Sequence, residues 1–269
     1  MTQRILTALV GVPLLIGAIW LGFPWLTILV AITALLGLWE FYRMAPGVKA
    51  VLVLGAVWVL LFMVAGQTAD DLYDYSPHLL LGAGILLTVP WPILNRSKNG
   101  AFSTWAHSIG GPAYLGFLLA HALMLREFDG AADTSRNWLL FALLVTFATD
   151  TGSYFTGRVL GTHPMAPAIS PGKTWEGAFG GFLWAVAVAA ALGAVLELSV
   201  PLWKSSLVGV AVGVVAQMGD LVESRFKRAT GVKDAGTILP GHGGILDRLD
   251  SIVLTLPVVY YLVALVFKP

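Results

Sequence analysis

The sequence predicts an all-α polytopic integral membrane protein of about nine transmembrane helices with its N-terminus in the cytoplasm. Three observations carry that prediction. Of 269 residues, 57% are hydrophobic and only 12% are charged, and mean hydropathy is +0.81; a soluble domain carries roughly 25% charged residues. Apolar runs of about 20 residues, long enough to cross a bilayer as helix, recur along the whole chain. Lysine and arginine also segregate between alternate connections, as the positive-inside rule requires.

Taken in order, the apolar runs lie near 5–22, 25–43, 48–66, 77–95, 104–125, 137–157, 176–198, 203–222 and 249–267. The first follows Met-Thr-Gln-Arg and resembles a signal peptide. It is long for the apolar core of one and lacks a clear small-residue cleavage site, so it reads as a retained span. Only Gly22-Phe23-Pro24 separates the first two runs, a tight turn that also permits a re-entrant pair. Tryptophan and tyrosine gather near span ends as interface anchors.

With the N-terminus inside, the inner segments hold Arg4, Arg43, Lys49, Arg96, Lys98, Arg158, Lys173, Arg225, Lys227, Arg228, Lys233 and Arg248. The outer segments hold Arg126, Arg136, Lys204 and Lys268, and the acidic Asp70, Asp71 and Asp74 also fall outside. Cysteine is absent, which excludes disulfides and thiolate metal sites. The net charge of +1, without a long basic run, gives no reason to expect a nucleic-acid partner. No internal repeat is visible. Residues 1–136 are almost plain spans, whereas 137–269 carry nearly all the unusual polar residues on the cytoplasmic side. The chain reads as one integrated membrane domain.

The densest chemistry lies between Ser224 and Asp250, with Asp220 and Glu223 just upstream. On a helix Asp220, Glu223 and Ser224 share a face, as do Asp247 and Asp250. The two helices are expected to be antiparallel and joined in the cytoplasm, so their carboxylates meet at one depth. Facing carboxylates repel unless a cation lies between them, and hard oxygen donors select Mg²⁺ completed by substrate phosphate. The plainer alternative makes Asp220 a helix-end cap and pairs Asp250 with Arg248 or Lys227.

Gly241-His242-Gly243-Gly244 can bring backbone N–H groups close to an anion. Lys227, Arg228 and Lys233, expected on the same loop, add positive charge; lipid headgroups are their competing partner. Asp150 lies inside the sixth span among Thr149, Thr151, Ser153 and Tyr154, and an ionisable residue there is functional or paired. Ser170-Pro171-Gly172-Lys173-Thr174-Trp175-Glu176-Gly177 precedes the seventh span, with Thr174 as candidate cap. Lys173 has the wrong sign for a helix N-terminus unless it serves an anion. The string is not a Walker A motif, because Pro167 stands where that motif needs glycine. Glu40 is expected to pair with Arg43, three residues on. His78, His107, His121 and His163 receive no role.

The string Ser224-x-Phe226-Lys227-Arg228-x4-Lys233-Asp234-x-Gly236-x2-Leu239-Pro240-x-His242-Gly243-Gly244-Ile245-x-Asp247-Arg248-Leu249-Asp250 resembles the signature of bacterial phosphatidate cytidylyltransferases. SPGKTWEG at 170–177, followed by Gly180-Gly181, resembles a second element of that family. The two elements and the Asp150 region cover the C-terminal half. The resemblance implies CTP plus phosphatidic acid giving CDP-diacylglycerol and pyrophosphate, with Mg²⁺ and room for a second cation. It implies a homodimer in the bacterial inner membrane, in contact with membrane lipids.

Under that resemblance Asp220, Asp247, Lys173 and Arg248 are catalytic. Asp220, Asp247, Glu223 and Asp250 hold metal. Ser170, Lys173, Ser224, Lys227, Arg228, Lys233, His242, Gly243, Gly244 and Asp150 bind substrate, with the cations divided between the two phosphates in an order left open. No general base is needed, since a phosphate monoester with a second pKa of about 6 is already ionised. Other cytoplasmic-face transferases and a transporter with an Asp150 ion path are the rivals. The missing repeat and the one-sided charge speak against the transporter.

Overall fold

A computed structural model of the chain describes residues 2–44, 51–69, 74–94, 100–128, 132–241 and 243–267. Lys49, Asp70, Asp71, Arg96, Lys98, His242 and Lys268 lie outside the described residues. Among the described residues the fold is all-α and polytopic apart from one short hairpin and an isolated bridge between Leu239 and Gly243. Its elements are α1 (Thr2–Leu21), α2 (Trp25–Met44), α3 (Leu52–Thr68), α4 (Ser76–Thr88), α5 (Pro90–Leu94), α6 (Ala101–Gly111) and α7 (Leu118–Glu127). Then come α8 (Ala132–Leu160), β1 (Pro164–Ala166), β2 (Ser170–Thr174), α9 (Trp175–Val195), α10 (Leu202–Ala229), α11 (Leu246–Leu249) and α12 (Ile252–Leu262). Among the described residues seven helical stretches are long and apolar enough to cross a membrane, and Leu9–Leu21 and Leu52–Thr68 are shorter apolar helices.

The chain forms two compact units: Met1–Asp129 with Asp234–Asp247, and Gly130–Lys233 with Arg248–Pro269. The loop 234–247, grouped by sequence with the C-terminal half, therefore belongs with the N-terminal helices.

In the first unit, helices approach closely where glycine or alanine removes side-chain bulk, the usual basis of packing in lipid. Gly55 lies against Tyr42, Gly66 against Ala120, and Gly116 against Phe62 and Val59. The Tyr42 hydroxyl donates to Ser108 O at 2.8 Å, satisfying a polar tip inside an apolar helix pair. Between α6 and α7, Pro112 interrupts the regular ladder and the turn Pro112–Phe117 widens to π geometry. At the α1–α2 turn Gly22 has φ 67°, and the Arg126 guanidinium lies against it. Arg126 Nε donates to Ile19 O at 3.1 Å, serving a carbonyl in the last turn of α1.

In the second unit, α8 and α9 meet along a thin glycine face. Gly177 abuts Ser153 O and Gly157, Gly180 abuts Thr156, and Gly181 abuts Ser153 and Thr149 O. Thr174 caps α9 as expected, its Oγ1 accepting from Gly177 N at 3.2 Å. Gly209 and Gly213 lie against Ala185 and fit α10 to α9, and Gln217 Nε2 donates to Ala178 O at 2.9 Å. Thr146 Oγ1 donates to Thr255 Oγ1 at 2.9 Å, joining α8 to α12.

Three local expectations are corrected. The eighth span does not end at 222: α10 runs to Ala229, so Lys227 and Arg228 are helical rather than on the loop with Lys233. Asp220 is therefore not a helix-end cap. The segment before α9 is a β-hairpin, Pro164 opposite Thr174 and Ala166 opposite Ser170, with a bulge between them. Finally, α11 gives way at Asp250-Ser251 before α12 begins, so Asp247 and Asp250 do not share one regular helical face.

Gly181→Val would drive two methyl groups into Ser153 and the Thr149 carbonyl. We expect a loss of about 1–3 kcal/mol from overpacking, read as a lowered unfolding midpoint of the purified protein in detergent, while Gly11→Val, whose Cβ position has open space, leaves the midpoint unchanged.

Candidate active site

The second unit gathers Lys173, Asp220, Ser224, Asp150 and Asp250. The bulged hairpin carries Lys173 to α10, where its Nζ pairs with Asp220 Oδ2 at 2.5 Å. The side chains of this pair are 22% and 33% exposed, so both are partly withdrawn from solvent. Lys173 thus finds its anion in a carboxylate of the chain itself. One turn on, Ser224 Oγ donates to Asp220 Oδ1 at 3.3 Å, which realises the predicted i, i+4 spacing.

Asp150 and Asp250 enter from α8 and the α11–α12 junction. Ser251 Oγ donates to Asp150 Oδ1 at 3.2 Å, and Ser251 N donates to Asp250 Oδ1 at 2.8 Å. Asp150, Asp220 and Asp250 interact electrostatically with one another and with Lys173. Gly219 makes the approach possible: a Cβ there would strike the Asp250 carbonyl. Ser251 supplies the interhelical hydrogen bond that the structural reading of Asp150 expects, and Asp220 and Asp250 lie in electrostatic reach beside it.

Glu223 and Lys227 form a neighbouring buried pair, Nζ to Oε2 at 2.8 Å, with side chains 1% and 12% exposed. The Glu223 carboxylate thus takes up Lys227, for which lipid headgroups were the competing partner. Arg228 donates from Nε to Ile169 O at 3.2 Å and from Nη1 to Val232 O at 3.2 Å, so two of its donors brace the hairpin loop and the α10 end. Ser170 opens β2 and is half-buried; Lys233 and Arg248 are exposed.

The first unit holds a separate arrangement around the signature turn. Asp247 accepts from Gly244 N at 2.8 Å and from Ala235 N at 3.0 Å. The Gly244 amide, expected to face a phosphate, is therefore engaged by the chain itself. Gly243 has φ 84°, a conformation that favours glycine, and Leu239 N donates to Gly243 O at 2.9 Å.

Glu40 was missed as a functional candidate. It is 0% exposed, and its Oε2 accepts from Leu246 N at 2.9 Å, across 206 residues of chain. Arg43, its expected partner, acts on it electrostatically while its guanidinium lies over the Trp39 ring, 4.5 Å from the centroid. The available signal was a lone carboxylate within an apolar run, masked by the basic residue one turn away.

The expected four-carboxylate metal set is not assembled: among the described residues no group of three or more His, Asp or Glu is placed to hold a metal ion. Glu223 is committed to Lys227, and Asp247 to backbone amides. The Asp220–Asp250 oxygens still suit Mg²⁺, which ordinarily takes one or two carboxylates and completes its shell with phosphate and water.

The structure is thus that of a helical integral membrane protein with a compact charged cluster borne by α8, α10, the hairpin and the α11–α12 junction. A family model described as the cytidylyltransferase family matches residues 2–266. Curated relatives include phosphatidate cytidylyltransferases from Staphylococcus saprophyticus, 35% identical over 96% of each chain, and Bacillus subtilis, 34% over 98% of each. That of Haemophilus influenzae is 31% identical over 96% of this chain and 97% of its own. The chain belongs to the cytidylyltransferase family and is a nucleotidyltransferase of that class.

Lys227→Met alone should destabilise the protein by about 3–5 kcal/mol, because it strands the Glu223 carboxylate. The double variant Glu223→Gln/Lys227→Met should regain most of that loss, and unfolding midpoints of the three proteins in one detergent check it.

Proposed function

We propose that this protein is a phosphatidate cytidylyltransferase, moving CMP from CTP to phosphatidic acid with release of pyrophosphate. The observation that carries the reading is the Lys173–Asp220 pair, with Asp150 and Asp250 around it, in a chain whose aligned relatives bear that name over nearly their full length. An ionised phosphate oxygen of the lipid attacks the α-phosphorus of CTP. The bond from that phosphorus to the oxygen bridging the β-phosphorus breaks, and pyrophosphate carries the electron pair away. No proton needs removing from the nucleophile at neutral pH.

Little covalent chemistry then falls to the side chains, whose work is positioning and charge compensation. Asp220 holds the Lys173 ammonium in place, and Lys173 meets phosphate oxygens as a compact cation. Arg228, Lys233 and Arg248 add positive charge, with Arg228 also bracing the hairpin, while the charge of Lys227 is balanced by Glu223. Ser224 and Ser251 fix the carboxylates of Asp220 and Asp150. Asp220 and Asp250 would hold Mg²⁺, which when bound offsets the charge of the triphosphate. Gly243 offers its turn to a substrate phosphate, and Asp247 shapes that turn by binding the amides on either side of it.

The cytoplasmic orientation rests on the bias of Lys and Arg, and the bacterial inner membrane and the homodimer on the family. A site facing the cytoplasm suits CTP, and membrane spans suit a lipid that stays in the bilayer.

Purified protein in detergent with phosphatidic acid micelles, Mg²⁺ and CTP should release pyrophosphate and form a CDP-lipid by mass. ATP, GTP and UTP should not substitute. EDTA should abolish turnover and added Mg²⁺ restore it. Asp220→Asn should lower kcat by about 10²-fold or more, the scale of losing one preorganised electrostatic element, with the fold retained on gel filtration. Nucleotide breakdown indifferent to phosphatidic acid, or a fully active Asp220→Asn, would sink the reading.

A further inference from the structure

We propose that Glu40 is a positioning residue for the turn that carries Gly243 and Asp247, so that a helix of the N-terminal half sets the shape of the signature loop. The inference rests on the cytidylyltransferase reading, because it assigns Glu40 a part in that reaction.

Three observations within the first unit carry it. The Glu40 side chain is 0% exposed, so its carboxyl group has been taken out of solvent and needs hydrogen-bond partners from the protein. Its Oε2 accepts the Leu246 amide at 2.9 Å, and the Ile245 amide lies within hydrogen-bonding influence of the same carboxylate. Leu246 opens α11, where backbone N–H groups have no partner within the helix, and a carboxylate from elsewhere in the fold supplies one.

The carboxylate also fills the space that two signature glycines leave. A Cβ on Gly236 or on Gly244 would collide with it. Gly244 thus has a packing reason to be glycine besides any closeness to an anion. Gly236 and Gly244 flank the turn in sequence, and both rest on the same carboxylate. Asp247 closes the turn from its own side through Ala235 N and Gly244 N. Two carboxylates therefore hold one short segment through backbone amides, Asp247 from within it and Glu40 from α2. Arg43 acts on Glu40 electrostatically while its guanidinium lies over Trp39, so it adds charge compensation but does not hold the turn.

Glu40 touches no reacting atom in this scheme. It acts through the backbone, and its loss shifts the turn rather than removing a catalytic group. A small displacement of such a segment costs about 10²-fold in rate.

The test compares Glu40→Ala, Glu40→Asp and Glu40→Gln with the wild type, each as full chain in detergent. Pyrophosphate release is measured against CTP and phosphatidic acid, alongside gel filtration and the unfolding midpoint. Glu40→Asp keeps the charge but falls a methylene short of Leu246 N; Glu40→Gln keeps an acceptor oxygen at full reach.

We expect kcat/KM to fall about 10²-fold in the Ala and Asp variants, on the scale of a misplaced active-site segment, and glutamine to restore it to near wild type. Monodisperse Ala or Asp protein with wild-type kcat/KM overturns the proposal. So does a glutamine variant as poor as alanine, since the acceptor oxygen would then not be what matters. If neither shorter variant yields folded protein, Glu40 is a folding residue and the positioning role is lost. A wild type that lacks turnover dependent on CTP and phosphatidic acid removes the underlying reading, and this inference falls with it.

Discussion

The pairing of Lys173 with Asp220 organises the second unit. A lysine just before a long apolar helix has no favourable place at that helix start, and an aspartate within another helix has no end to cap. Each removes the other's cost. The bulged hairpin between α8 and α9 exists in the position that lets Lys173 reach α10, and the glycine faces of α9 and α10 bring those helices close enough for the reach to succeed. Once Asp220 is held there, Asp150 and Asp250 can approach, because a cation already stands among them.

Charge in this unit is arranged in two ways. Glu223 and Lys227 are a closed pair, buried and one helical turn apart, and such a pair contributes little net stability although breaking it is expensive. Around Asp220 the carboxylates Asp150, Asp220 and Asp250 outnumber the Lys173 ammonium that pairs with one of them.

The first unit supplies a different component. Its helices interlock through small residues and through Tyr42, and Glu40 extends from that scaffold to the loop 234–247. Among its described residues the loop has little regular structure of its own: a single bridge between Leu239 and Gly243, then a four-residue helix. Its shape is set by carboxylates binding amides, a directional interaction that apolar packing alone would not provide.

Membrane insertion, the all-helical class and the residue types of the site were legible in the sequence, because each follows from local pattern. An apolar run of about 20 residues is a span wherever it falls. Asp220 and Ser224 meet because helical spacing puts them on one face, and Thr174 caps α9 because a threonine at a helix start does so locally. The family signature in 224–250 was likewise a local string. What spacing could not supply was partner choice across the chain. Lys173 lies 47 residues before Asp220 and Glu40 lies 206 before Leu246. For Glu40 the nearby Arg43 was the visible local partner, and the fold adds the Leu246 amide from far along the chain. The extension of α10 to Ala229 was hidden because its last turns are polar, and polarity ends a span without ending a helix. The sequence by itself determined that this chain crosses a membrane as helices and gathers carboxylates, lysines and glycines in its C-terminal half. Only tertiary structure decided which carboxylate takes a lysine and which takes a backbone amide, because that depends on which helices glycine allows to touch.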